Sequence, residues 1–382
     1  MRLTARVASH WFIDYLVEHG VDVEYWDVLE VLRDSHSESG EIDRPYLRHF
    51  RCLSEVDVAL GLPENSSALY VMLVTYTGHF TNIYRLLSKR RARMAMITWG
   101  VLPTNPAPAW QKILERYSSP VWLATSAFYI VKAKLWRKLK LVRPYETLFG
   151  AGRIALQGEP DARHVAINSV DFDAYTRAMV RGARVVETPY AVFLDINLPY
   201  QSDLSLSGLR PIHPDRYYES LNRFFKIIEK AFALKIVVAL HPKAGYRGEK
   251  FEGREAYVNL TAELVHDAEF VVSHTSTAMS YAVLSAKSLV FVSTNEMEKL
   301  YKDNLMREMH NYARYLDATI VNADSVRDAR DVQIRPVNSE RYMRYRYDFL
   351  TSRETEGDET RDIFLREISF VKHSEEGTLV AT

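Results

Sequence analysis

Two stretches decide the fold: KIVVALHPK (residues 235–243) and EFVVSHTST (residues 269–277). Each begins as an unbroken aliphatic or aromatic run and stops abruptly in polar residues. A strand with one wet face alternates apolar and polar positions. These runs do not, which is the pattern of a parallel sheet covered on both faces by helices. Pro242 ends the first ladder, because proline brings no backbone N–H to a sheet. Working outward, YAVFLD (190–195) and SLVFV (288–292) have the same character. Between the first two strands, Pro214 opens a segment in which Tyr218, Leu221, Phe225, Ile228 and Phe232 recur at three- and four-residue spacing, the period of an amphipathic helix. Further helices are expected around Leu260–His266 and Thr275–Ser285. Strands alternating with helices, joined by right-handed crossovers, make a doubly wound α/β unit.

The N-terminal half repeats the alternation less regularly. YVMLVT (70–75), MAMIT (94–98) and His164–Asn168 read as strands, with helices near Trp11–His19, Asn82–Lys89 and Trp110–Arg116. A chain of 382 residues has room for two domains. The expected architecture is α/β, with two doubly wound Rossmann-like domains facing across a cleft: residues 1–188, residues 189–337, and a helical tail over 338–382 that packs on the body.

Composition narrows the function. Lys plus Arg equals Asp plus Glu, at 49 each, so the basic excess of a nucleic-acid-wrapping protein is missing. The lone Cys52 excludes a disulfide framework and a cysteine-based zinc site, which points to a reducing, cytoplasmic setting. Met1–Leu16 mixes Arg2, Arg6, His10 and Asp14 with apolar residues, unlike a secretory leader. No apolar run reaches the roughly 18 residues that a membrane span needs.

Ligands of an open parallel sheet bind beyond the carboxyl ends of its strands. That places Asp195, the His241, Pro242 and Lys243 run, and Ser273, His274, Thr275, Ser276 and Thr277 on one rim. The hydroxyl-rich turn offers donors at a helix N-terminus, suited to a phosphate; the same residues also suit a simple N-cap. His241 and Lys243 add cationic character. Asp195 and Asp203 are the carboxylates nearest the expected cleft, as bases or as turn caps. Asp171 and Asp173 have the spacing of a metal-binding pair but read as the acidic start of a helix, leaving both as fallback bases should their loop face the cleft. No metal site is expected, and no HExxH pair or GxSxG elbow occurs. Gly150-Ala151-Gly152 lacks the third glycine and the preceding strand of a dinucleotide fingerprint. Over Phe128–Arg143, the apolar positions Phe128, Val131, Leu135, Leu139 and Val142 share one helical face among six Lys and Arg residues. This is either a core-facing stripe with a basic back or a surface for peripheral contact with anionic membrane.

On His241-Pro242 and His274-Thr275-Ser276-Thr277, the span from Tyr190 to Thr294 resembles bacterial GT-B glycosyltransferases of surface-polysaccharide synthesis, the sialyltransferase-like group that builds capsule or lipopolysaccharide. The resemblance covers roughly a quarter of the chain. It implies a metal-independent, cofactor-free transfer of a sugar from a nucleotide-activated donor, CMP-linked in that group, to a polysaccharide or lipid-linked glycan. It also implies that the histidine and the hydroxyls hold the donor phosphate. The group's acidic-acidic-glycine motif is missing from the first domain; Glu375-Glu376-Gly377 in the tail has the letters. The role of base then passes to Asp195, with Asp203 and Asp173 behind it. A nucleotide-sugar epimerase on the same fold and a non-catalytic carbohydrate-binding or scaffold protein are the alternatives.

Overall fold

The computed structural model describes residues 2–32, 41–74, 76, 80–99, 103, 120–182, 184–201, 209–246 and 248–376, with side chains left undescribed at residues 32, 120–127 and 369–376. Its strands are β1 (Tyr25–Asp27), β2 (Leu47–His49), β3 (Leu69–Met72), β4 (Arg93–Thr98), β5 (Thr147–Ala151), β6 (Arg163–Ile167), β7 (Tyr190–Leu194), β8 (Lys235–Leu240), β9 (Ala256–Val258), β10 (Phe270–Ser273), β11 (Ser288–Ser293) and β12 (Thr319–Asn322). They form a two-stranded sheet, a four-stranded sheet in the order β3-β4-β5-β6 and a six-stranded sheet in the order β12-β11-β10-β7-β8-β9. Every pairing within them is parallel. The α/β class and its two Rossmann-like sheets are therefore present.

Numbered from its own first strand, the six-stranded sheet runs 6-5-4-1-2-3, the order of a doubly wound dinucleotide-type fold. The chain starts in the middle at β7, moves out through β8 and β9, then returns to the other side of β7 at β10. All five residues of β7 are buried. The helix Pro214–Phe232 lays Leu221, Phe224, Phe225 and Ile228 onto the sheet, each fully buried. Phe172, from the helix Val170–Arg181, and Val186 join this same core, upstream of residue 188.

The four-stranded sheet advances in one direction only, so right-handed crossovers place its connecting helices on one face. Met94 of β4 packs there with Ile83, Tyr84 and Leu87 of the helix Thr81–Lys89. Alternate residues Ala95 and Ile97, with Phe149, Ala151, Val165 and Ile167, point to the other face. That face is covered from the two ends of the chain, by Leu16 and by Ile363 and Phe364 of the helix Thr360–Glu376. Polar contacts add to this cover. Asn168, just beyond β6, donates from Nδ2 to the carbonyls of Asp358 (2.7 Å) and Thr355 (3.0 Å), while its Oδ1 accepts from Thr351.

Two elements depart from expectation. TLFGA is a fully buried strand, although its threonine and glycine mask it in the sequence. The helix expected over Thr275–Ser285 is a 3-10 turn, Thr277–Met279, running into the short helix Ser280–Leu284. The Trp110–Arg116 helix lies outside the described residues. Gly150 and Ala151 thus close a strand that Gly152 follows, yet Gly152 serves packing. Its φ is +74°, and a Cβ there would meet Asp348 O and Phe349 N at 2.6 Å. Gly152→Ala is expected to lower stability by about 2–4 kcal/mol, from left-handed strain plus the backbone clash. Urea unfolding measures it; an unchanged midpoint would mean that Asp348 does not approach the glycine this closely.

Candidate functional site

The ends of β7 and β8 make the site. Asp195, the residue after β7, is 5% exposed, and its carboxylate is fully occupied. Oδ1 accepts from the backbone N–H of Asn197 at 2.9 Å; Oδ2 accepts from the Tyr246 hydroxyl at 2.8 Å and the His241 N–H at 3.4 Å. Burial raises its pKa, and the hydrogen bonds oppose that rise. One carboxylate therefore ties the loop after β7 to the loop after β8. Residues 241–244 turn tightly, with Ala244 N–H donating to His241 O at 2.8 Å and Pro242 at the position where a turn favours its fixed φ. Lys243 N–H donates to His241 Nδ1 at 3.1 Å, so the neutral ring carries its proton on Nε2.

Above these loops lies a pocket of about 500 Å³ lined by Asn197, Tyr200, Gln201, His241, Lys243, Gly245, Tyr246, Glu249 and Lys250. Its size suits a nucleotide-scale ligand. Asn197 sits in the left-handed region at φ 53°, ψ 38°, 7% exposed, and its Oδ1 has no hydrogen-bond partner. Gln201 Oε1 is likewise buried without a partner. An unpaired buried acceptor costs about 1–3 kcal/mol, and both oxygens are closed to solvent here, so they meet a ligand in the pocket when their side chains turn toward it. Tyr200 is half exposed at the mouth, with its ring 6.2 Å from that of Tyr246.

The expected residues divide sharply. His241 and Lys243 line the pocket, with Pro242 shaping their turn. None of residues 273–277 lines it. They close and follow β10, which is separated from β8 by β7, so they stand two strands away from His241 in the sheet. Ser276 Oγ accepts from Ala278 N–H at 3.2 Å, as an ordinary cap. Thr275 Oγ1 donates to Leu305 O at 3.2 Å, Thr277 is exposed, and Ser273 Oγ is buried without a partner. His274 is a core group: it is fully buried, its Nδ1–H donates to Val292 O at 2.6 Å, and its Nε2 accepts from Tyr217 at 2.8 Å. Burial lowers its pKa to about 4. It offers no atom to a ligand.

Two expected carboxylates also change role. Asp173 is 4% exposed and accepts from Thr360 N–H and Asn168 Nδ2, pinning the tail rather than facing a substrate. Asp195 is walled in by its three donors. Asp203 lies outside the described residues, as do Gly377 and the side chains of Glu375 and Glu376. The sequence reading missed Asn197, Gln201 and Glu249, the carboxylate of the pocket lining; the Asn197-Leu198-Pro199 turn was the available signal. Among the described residues, Asp27, Glu41 and His49 could together hold a metal ion. They share no residue with the pocket, and Glu41 pairs with Arg2 at 2.6 Å.

No family model matches the chain, and no curated protein matches it. Among solved structures, a variant of the wall teichoic acid polymerase TagF is 12% identical, with 95% of this chain and 86% of that chain covered at a TM-score of 0.47. The spinosyn forosaminyltransferase SpnP is 14% identical, covering 84% and 80% at 0.42. The UDP-GlcNAc 2-epimerase of Methanocaldococcus jannaschii, in complex with UDP-GlcNAc and UDP, is 11% identical, covering 83% and 79% at 0.38.

The buried His274 makes a pH prediction. Its folded pKa lies below the ordinary 6.5, so as pH falls the unfolded chain takes up the proton first. Stability contributed by the neutral ring is present above pH 6.5 and is lost between there and pH 4, by about 3 kcal/mol in total. Urea unfolding across that range should show a steeper decline for the parent than for His274→Gln. Parallel curves would contradict the assignment.

Proposed function

We propose that the pocket binds a nucleotide-activated sugar and that the protein is a glycosyltransferase. The observation that carries this reading is the set of groups around one cavity. His241 and Lys243 supply an N–H and an ammonium, Asn197 and Gln201 supply carboxamides whose unpaired oxygens can turn toward a ligand, and Tyr200 supplies a ring face. A nucleotide sugar has phosphate for the first, hydroxyl and amino donors for the second, and a base for the third. A CMP-linked donor fits the reading, since the exocyclic amine of cytosine, like that of a purine base, donates to amide oxygens. The acceptor in this reading is a surface-polysaccharide or lipid-linked glycan.

In the transfer step, the bond from the anomeric carbon to the leaving phosphate breaks as the acceptor oxygen attacks. Negative charge collects on the phosphate while the sugar takes on oxocarbenium character. His241 Nε2–H and Lys243 stabilise that charge as preorganised donors. The acceptor proton passes to a carboxylate, and we assign this to Glu249 in place of the enclosed Asp195. Asp195 then acts as a positioning residue, holding both loops. No step in this scheme uses a metal ion.

Binding of CMP, CDP, UDP and GDP, followed by thermal shift, tests the donor, because a ligand of the folded state raises its midpoint. His241→Ala and Lys243→Ala should each weaken binding of the preferred nucleotide about tenfold. Glu249→Gln should lower kcat about 100-fold with binding nearly unchanged. Nucleotide binding that ignores both cation variants would overturn the site. Conversion of a nucleotide sugar without acceptor would make the protein an epimerase, and binding without turnover of any donor and acceptor would make it a binding protein.

A further inference from the structure

The helix Pro120–Lys138 turns its apolar row away from the protein. At 3.6 residues per turn, Phe128, Val131, Leu135 and Leu139 fall within about 80° of one another. They are 62%, 63%, 48% and 57% exposed. Leu139 continues the helix through its N–H to Leu135 O bond of 2.8 Å. The opposite side faces the body. Trp136 packs against the first-sheet core, Ala133 O accepts from the Tyr76 hydroxyl at 3.0 Å, and the Arg137 guanidinium lies 4.7 Å from the Tyr76 ring. Ile130 is also exposed but stands off the row. The row is thus not a core stripe, for the core contact is made by the other face.

Its surroundings select the occupant. From Phe128 to Arg143 the chain carries Lys132, Lys134, Arg137, Lys138, Lys140 and Arg143 and no carboxylate. Lys134 and Lys138 border the apolar row on one side, and both are exposed without an ion-pair partner among the described residues. A row of large apolar side chains edged by unneutralised ammonium groups matches the headgroup boundary of an anionic bilayer, with lysines at the phosphates and apolar side chains below them. Among the described residues, no helix is long and apolar enough to cross a membrane. We propose that the helix Pro120–Lys138 lies in the interface plane of an anionic lipid bilayer, docked through Phe128, Val131, Leu135 and Leu139 and held by Lys134 and Lys138. This does not depend on the pocket's chemistry.

The test is cosedimentation of the full chain with phosphatidylcholine vesicles, with and without phosphatidylglycerol. Binding is expected only where phosphatidylglycerol is present, and it should weaken as salt rises. Leu135→Glu with Leu139→Glu should cut it at least about tenfold, and Lys134→Ala with Lys138→Ala should cut it several-fold. Both pairs are exposed, so the unfolding midpoint should stay near the parent's and separate lost docking from lost folding. Equal binding to neutral vesicles, or full binding by the glutamate variant, overturns the proposal. So does a dimer in light scattering that Leu135→Glu dissolves while vesicles bind nothing, since the row would then belong to a second copy.

Discussion

With 5% of its surface exposed, Asp195 accepts from Asn197, His241 and Tyr246, and the shape of the pocket hangs on that carboxylate staying satisfied. A carboxylate buried alone is costly, so its donors are under strong pressure to remain in place. One donor belongs to the loop after β7 and two to the loop after β8. Those loops carry the side chains at the mouth: Asn197, Tyr200 and Gln201 on one, His241 and Lys243 on the other. The burial that removes Asp195 as a base is also what gives it this organising power.

The first sheet has a different dependence. Because its strands advance in a single direction, its own crossovers leave one face bare, and the ends of the chain have to supply the missing layer. Phe364 meets Phe149 edge to face at 4.7 Å, and the Asn168 side chain bonds the segment that leads into its helix. Asp348, further back in the tail, pairs with Arg153 at 2.7 Å beside Gly152. The tail therefore locks the carboxyl ends of β5 and β6 rather than merely covering them.

How much of this was legible in the sequence depends on which physical signal each element carries. Strands such as KIVVAL and YAVFL announce themselves, because burial on both faces demands continuous aliphatic runs. TLFGA is buried just as deeply, yet small residues satisfy the close packing there and leave no propensity signal. The Ser273–Thr277 turn was ambiguous in principle: capping a helix and binding an anion recruit the same hydroxyls, and only the Ala278 and Leu305 contacts separate them. Asn197 and Gln201 were illegible, since an unpaired amide oxygen is a property of the assembled loops. In the 128–143 segment the period reveals a stripe but not which side the body occupies; Trp136 settles that.

The placement of the pocket follows from what fills the switch point of the second sheet. There, between β7 and β10, a doubly wound fold ordinarily opens a crevice for a ligand. Here His274 occupies the interior at that junction, bonded to Val292 O and Tyr217 and set edge-on to Phe193 at 5.4 Å. Its ring is held neutral, so it packs as an aromatic wedge and cannot balance an anion. The Lys243 ammonium and the His241 N–H lie instead beyond β8, in a loop that lines the pocket. On this sheet the strand order alone does not fix where polar donors gather; the burial of His274 and the exposure of the loop after β8 do.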